Sequence, residues 1–214
     1  MTVRTVAAVV TAAVLAVGGA TGSAGADQRP GSQPRGGEAG EESGEYWMRA
    51  RGVFAPPRGS TAPAAVTHDQ RRVPKGARIE VVWRVGPLGM TVRLKVSGVA
   101  PDRVYGAHVH TGTCGPRPAD SGPHYQHRED PRQPSTDPRY ANERNEVWLD
   151  FRADGEGRGT ASTWHEWRFR KGEARSLVLH EHATGTGEGH AGDAGARLAC
   201  FTVPFDRAPG RSAG

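Results

Sequence analysis

The chain has 214 residues, with 28 Lys and Arg against 23 Asp and Glu, a net charge of +5. Nearly all the positive charge is arginine, interspersed with acids along the sequence, and no basic stretch carries interleaved aromatics, which argues against a nucleic-acid binder. Only the N-terminal apolar run approaches a membrane span, and the length beyond it suits one domain.

Residues 1–26 read as an export leader. Arg4 supplies the positive start, residues 5–17 are small and apolar, and Ala24-Gly25-Ala26 fits a signal-peptidase site before Asp27. A membrane anchor is the alternative. The run is short for that, rich in alanine and lacks a basic stop-transfer flank. The mature protein is therefore expected outside the cytoplasm, with no membrane span. Residues 27–44 are Gly, Glu, Pro and Ser without a large apolar side chain, the composition of a disordered tether. A domain is expected over residues 45–206, followed by a loose tail over 207–214.

The domain reads as all-β. Residues 77–85 put Ile79, Val81 and Trp83 on one face, and residues 90–96 alternate Val92, Leu94 and Val96 with Thr91, Arg93 and Lys95. Further strands are predicted over 104–109, 146–153, 159–163, 167–170, 176–181 and 196–203. Short strands separated by turn residues predict a sandwich or Greek-key barrel. Two segments break the rhythm, 112–142 and 183–194. Each begins beside histidines, and long irregular loops in a compact domain are commonly functional.

Eight of the nine histidines fall between His108 and His190. In His108-Val109-His110 the two imidazoles point to one face of a strand, where both can reach one metal ion. His124 follows in Ser-Gly-Pro-His, and His180 ends the run Ser176-Leu177-Val178-Leu179. For any one of them alone a hydrogen-bonded structural histidine is the competing reading. Cys114 and Cys200 are the only cysteines. In an oxidising compartment they are expected to bridge, closing a loop of roughly 85 residues worth ~4–5 kcal/mol in the chain-entropy model. The alternative, two metal-binding thiolates, lacks a nearby CxxC partner for either.

The wider segments carry a resemblance. Tyr105-Gly106-Ala107-His108-Val109-His110, then Cys114, then Ser121-Gly122-Pro123-His124-Tyr125, then Leu177-Val178-Leu179-His180-Glu181, then Gly192-Asp193-Ala194-Gly195-Ala196-Arg197-Leu198-Ala199-Cys200 come in the order of the Cu/Zn superoxide dismutase motifs. The likeness runs from about Arg78 to Val203, one domain's worth. It implies an eight-stranded Greek-key β-barrel, with two long functional loops, that uses copper to dismutate superoxide. It assigns His108, His110, His124 and His180 to copper, with His124 in the position that bridges to zinc and carries a proton. It assigns Cys114 and Cys200 to the disulfide, and Arg197 to the place beside the copper, where a cation attracts and holds a small anion.

The zinc half of the pattern is broken. The family follows its bridging histidine with two more histidines and an aspartate. Here His124 is followed by His127 alone, at another spacing, then by Asp130, Asp137, Glu143 and Glu146, with Glu143 near the aspartate position. Where the family has an aspartate linking the two metal sites, this chain has Thr184. The expectation is a copper-only variant in which an acid, Glu143, Glu146 or Asp137, takes the outer N–H of His124. An unusual zinc site from His124, His127, Asp130 or Asp137 competes with it. Among rival functions, a secreted copper-buffering module would keep the four histidines without needing Arg197. A monooxygenase with an N-terminal histidine disagrees with a mature start at Asp27, and a metal-free structural domain disagrees with four filled copper positions.

Overall fold

In a computed structural model the structure describes residues 45–205. The leader, the tether of residues 27–44 and the tail of residues 207–214 lie outside the described residues. Among the described residues there are ten strands: β1 (Tyr46–Val53), β2 (Ala65–Thr67), β3 (Arg78–Gly86), β4 (Gly89–Ser97), β5 (Val104–Tyr105), β6 (Ala107–His110), β7 (Phe151–Arg152), β8 (Gly159–His165), β9 (Ser176–His180) and β10 (Arg197–Thr202). Eight of them form two four-stranded sheets, ordered β1-β3-β4-β8 and β2-β10-β9-β6, and β5 pairs with β7 as a small ribbon. The chain passes repeatedly between the sheets, leaving β8 beside β4 and β6 beside β9, as Greek-key connections do. The all-β expectation therefore holds, and no α-helix occurs among the described residues.

The first sheet follows directly from period-2 patterning. Ile79, Val81, Trp83 and Val85 of β3 pack inward with Met90, Val92, Leu94 and Val96 of β4, all buried. Apart from Val82, the residues between them are polar and face outward. The Gly86↔Gly89 pairing closes the β3–β4 hairpin. The second sheet supplies Val109, Leu177, Leu179, Leu198 and Phe201 to the same core.

Unlike the first sheet, the second is covered on both faces. All five residues of β9 and all four of β6 are buried. Ala107, Val109, Leu177 and Leu179 face the core, so His108, His110, Val178 and His180 lie on the outer face, beneath the loops. The Cys114–Cys200 disulfide spans 86 residues and ties the loop after β6 to β10. It packs with Val66 and Val178 in a small separate cluster.

Several sequence-based strand assignments need correction. The segment 167–170 is not a strand. Trp167 packs between His127 and His165, and the Arg170 guanidinium bonds the carbonyl of Gln126 and the carboxylates of Glu129 and Glu173. Its alternation reflects packing between loops, with no ladder partner. The predicted strand 104–109 is interrupted at Gly106, where a Cβ would meet the carbonyl of His182 and the Cβ of Ala194 at 2.7 Å. Of 146–153 only β7 is regular strand, although isolated bridges His108↔Trp148 and Gln126↔Glu146 keep the preceding residues extended. The strands β1 and β2 were not assigned from the sequence at all. Trp164 is exposed on the opposite face of β8 from His165, which is buried against Trp167.

Candidate metal centre

The structure gathers His108, His110, His124 and His180, and one ring nitrogen from each lies within 4.8 Å of the others. Two come from β6, one ends β9, and His124 enters from the following loop, held to the strand by an isolated bridge with His110. His108, His110 and His180 are buried, and His124 is partly exposed.

Each imidazole is oriented by a group that can only accept a hydrogen bond through its remaining lone pairs. His110 donates from Nδ1 to the carbonyl of Gly122 at 2.9 Å, and His180 from Nδ1 to that of Gly195 at 3.3 Å. Both glycines sit at positive φ, 69° and 75°, the left-handed region in which a side chain is strained, and this turns each carbonyl toward its histidine. His124 donates from Nδ1 to Glu146 Oε2 at 2.8 Å. The Glu146 carboxylate also accepts from Trp148 Nε1 and Gln126 Nε2. His108 is held from its other side: Nε2 donates to Thr184 Oγ1 at 2.7 Å, and that hydroxyl spends its own proton on Asp150 Oδ1 at 2.8 Å.

These bonds fix the tautomers. His110, His124 and His180 present the Nε2 lone pair inward, and His108 presents Nδ1. His108 Nδ1 is buried with no hydrogen-bond partner, and the Nε2 atoms of His110 and His180 stand 3.2 Å apart. Converging lone pairs repel one another unless a cation lies among them. Four imidazoles with outer N–H groups bonded to carbonyl, hydroxyl and carboxylate acceptors match what a nitrogen-liganded transition metal requires. Burial also pushes the histidines toward the neutral form. It lowers His108 and His110 well below the ordinary imidazole range, aided by neighbouring imidazoles, and lowers His180 to about 3.

A cleft of about 260 Å³ opens onto this cluster, lined among others by His124, His180, Glu146, Gly195 and Arg197. Arg197 at the start of β10 donates from Nη1 to Ser121 Oγ at 3.0 Å and to the carbonyl of Pro118 at 3.2 Å. Both acceptors belong to the short 3₁₀ turn Pro118–Ser121 in the loop tethered by Cys114.

The remaining expected site residues lie apart from the cluster or are engaged elsewhere. His127 stacks on Trp167 with ring centroids 4.8 Å apart. Asp130 accepts from Ser135 and from the backbone of Arg132. Asp137 pairs with Arg139, and Glu143 is exposed. His182 and His190 are exposed. Asp150, Trp148 and Gln126 escaped the sequence reading. The signal was period 2: Glu146, Trp148 and Asp150 alternate along one extended segment beside β6, and so share a face.

A family model, copper/zinc superoxide dismutase, matches residues 79–203, from the first core residue of β3 to the end of β10. The chain belongs to the Cu/Zn superoxide dismutase family. Solved structures similar to it include the Cu/Zn superoxide dismutase from Brucella abortus, at 17% identity and a TM-score of 0.48, covering 72% of this chain and 99% of that one. A double mutant of a SOD-like protein from Bacillus subtilis is similar at 18% identity and a TM-score of 0.47, covering 67% and 98%. No curated protein matches the chain. The family match spans all four clustered histidines, both cysteines and Arg197.

Proposed function

We propose that this protein is a copper-dependent superoxide dismutase that works outside the cytoplasm and uses the four-histidine site without zinc. The observation that carries this reading is the tautomer pattern: four lone pairs converge at the base of a cleft whose wall includes Arg197. His108, His110, His124 and His180 would hold the copper. Bound there, copper supplies a one-electron couple that accepts an electron from one superoxide and returns it to a second.

The protein's own residues do the rest. Superoxide is a small anion, and Arg197 places a permanent charge on the cleft wall. Its bonds to Ser121 and Pro118 hold the guanidinium to one geometry. The disulfide keeps that acceptor turn beside β10. Two superoxide ions become dioxygen and hydrogen peroxide with uptake of two protons. His124 is the imidazole of the set that is partly exposed at the cleft, the right location to deliver a proton from Nε2 when that nitrogen is not holding the metal. Glu146 retains its hold on Nδ1 during such a transfer, so the ring keeps its orientation.

The side chains that could bind zinc already have protein partners. Glu146, which takes the His124 Nδ1–H, is bonded to three N–H donors, and His127, Asp130 and Asp137 are engaged with protein partners. An export leader over residues 1–26 supports the extracytoplasmic location. The test is metal analysis with a superoxide assay on the copper-loaded mature protein. One copper per chain, less than a tenth as much zinc, and turnover abolished by chelation are expected. One zinc per copper would overturn the copper-only reading, and stoichiometric copper without turnover would make this a copper-binding module.

A further inference from the structure

The cations that are scattered through the sequence converge on one surface. Reading across β1, β3, β4 and β8 by register, the outer face of the first sheet has the rows Trp47, Arg84, Thr91, Trp164; then Arg49, Val82, Arg93, Ser162; then Arg51, Glu80, Lys95, Thr160; and Val53, Arg78, Ser97. Six cations share this face with one acid. Glu80 pairs with Arg51 and lies 3.7 Å from Arg49, whereas Arg78, Arg84, Arg93 and Lys95 have no ion-pair partner among the described residues. The period-2 alternation of three separate strands hides the patch from any linear reading.

One end of the face is apolar. Trp47, Leu88 and Trp164 are 55%, 81% and 60% exposed, and they are three of the four exposed large apolar side chains among the described residues. Trp47 and Trp164 occupy one row on the two edge strands, and Leu88 stands at the tip of the β3–β4 hairpin, just beyond Arg84 and Thr91. Nothing in the core requires them to be large. All three belong to the first sheet and its hairpin, whereas His108, His110 and His180 lie on the opposite sheet.

We propose that this face docks the protein on an anionic lipid bilayer, with the Trp47–Leu88–Trp164 end seated among the headgroups and the arginine rows against lipid phosphates. Tryptophan favours the membrane interface, where its ring is buried and its N–H remains wet. Lysine and arginine near a negatively charged leaflet each add to the attraction. A second copy of the same face would oppose like charges, and a soluble polyanion would use the cations but leave the apolar end without a partner. The bilayer uses both halves. Docked this way, the protein would keep its copper cleft away from the lipid.

Sedimentation of the metal-loaded, exported protein with vesicles tests this, using phosphatidylglycerol–phosphatidylcholine mixtures and pure phosphatidylcholine at about 0.1 M salt, where exposed charges are screened beyond about 10 Å. The protein is expected to pellet with the anionic vesicles and to bind pure phosphatidylcholine at least roughly tenfold more weakly. Brominated lipid is expected to quench its tryptophan emission. Neutralising Arg84, Arg93 and Lys95 to Gln should weaken binding by about fivefold for each cation, while the same change at Arg58, Arg71 and Lys171, exposed cations outside the sheet, should weaken it far less. The triple variant Trp47→Ser, Leu88→Ser, Trp164→Ser should lose at least roughly tenfold while keeping its melting temperature and copper content, because all three side chains are exposed. A protein that stays in the supernatant with anionic vesicles overturns the proposal. So does a tip variant that binds like the parent, or heparin binding that depends on the same cations but not on the tip, which would make the face a polyanion site.

Discussion

The two four-stranded sheets are built from similar strands and do opposite jobs. The first presents one face to the core and one to solvent, so its residues alternate between a more buried and a more exposed set. The second is buried on both faces, because loops that carry no regular structure fold back over it. Histidines placed on that covered face lose water and gain neighbours, which is the condition for a neutral imidazole cluster. The lesson is that stability can be written locally, in one strand pair, whereas the metal centre depends on how a distant loop is pinned down.

Cutting the pin should show the difference at its largest. Cys114→Ser with Cys200→Ser removes the 86-residue cross-link and is expected to lower stability by ~4–5 kcal/mol in the chain-entropy model. Copper affinity should fall as well, since the turn that supports Arg197 and the loop bearing His124 are no longer tied to β10. Denaturant unfolding and metal titration on the same variant measure both effects, and unchanged stability would remove the disulfide from its structural role.

A core truncation in the first sheet should separate the two properties. Leu94→Ala deletes a side chain that is 1% exposed and is expected to cost about 2–5 kcal/mol. Its copper stoichiometry and turnover at 25 °C should stay at the parent level. Loss of metal alongside stability would mean that the histidine cluster depends on the shared core as well as on the loops that cover it.

Within the second sheet, the outer partners of the imidazoles come next. Glu146→Gln keeps the shape but removes the charge that accepts the His124 N–H, and the expected loss is 10–100-fold in copper affinity, typical for such supports. Thr184→Val should act in the same direction through His108, because it severs the hydroxyl link to Asp150. Isothermal competition against a copper chelator reads either change, and parent-like affinity for both would argue that the histidines are positioned by the strands alone.

The smallest effect concerns a histidine outside the cluster. Burial lowers the pKa of His165 to about 4, aided by nearby His127, whereas an unfolded histidine titrates near 6.5. Between those values the unfolded chain binds the extra proton, so stability is present above about pH 6.5 and is lost as pH falls through about 4. In copper-loaded protein, His165→Gln should flatten the fall in melting temperature between pH 6.5 and 4 relative to the parent. An identical slope in the two proteins would assign the pH dependence to other groups.

Much of this was legible in the sequence. Strands β3 and β4 follow from alternation, β8, β9 and β10 from short runs bounded by turn residues, and the four histidines and two cysteines stand out by their motifs. Strand β2 was not, since three buried residues have no visible period. The segment around Trp167 was misread because packing between loops can mimic a strand pattern. Among the acids following His124, sequence spacing left Glu143, Glu146 and Asp137 level. Only the bridge between Gln126 and Glu146 turns Glu146 toward the imidazole, and the same extended run brings Asp150 to Thr184.

The sequence by itself determined the secondary-structure class, a property of residue type and short-range spacing, and its family-like motifs singled out the four histidines that the fold clusters. Tertiary structure decided which carboxylate backs which histidine, which nitrogen of each ring points inward, and that six cations scattered from Arg49 to Lys95 share one face with two edge tryptophans. Those outcomes depend on cross-strand register and loop closure, which join residues far apart in the chain and leave no local periodicity to read.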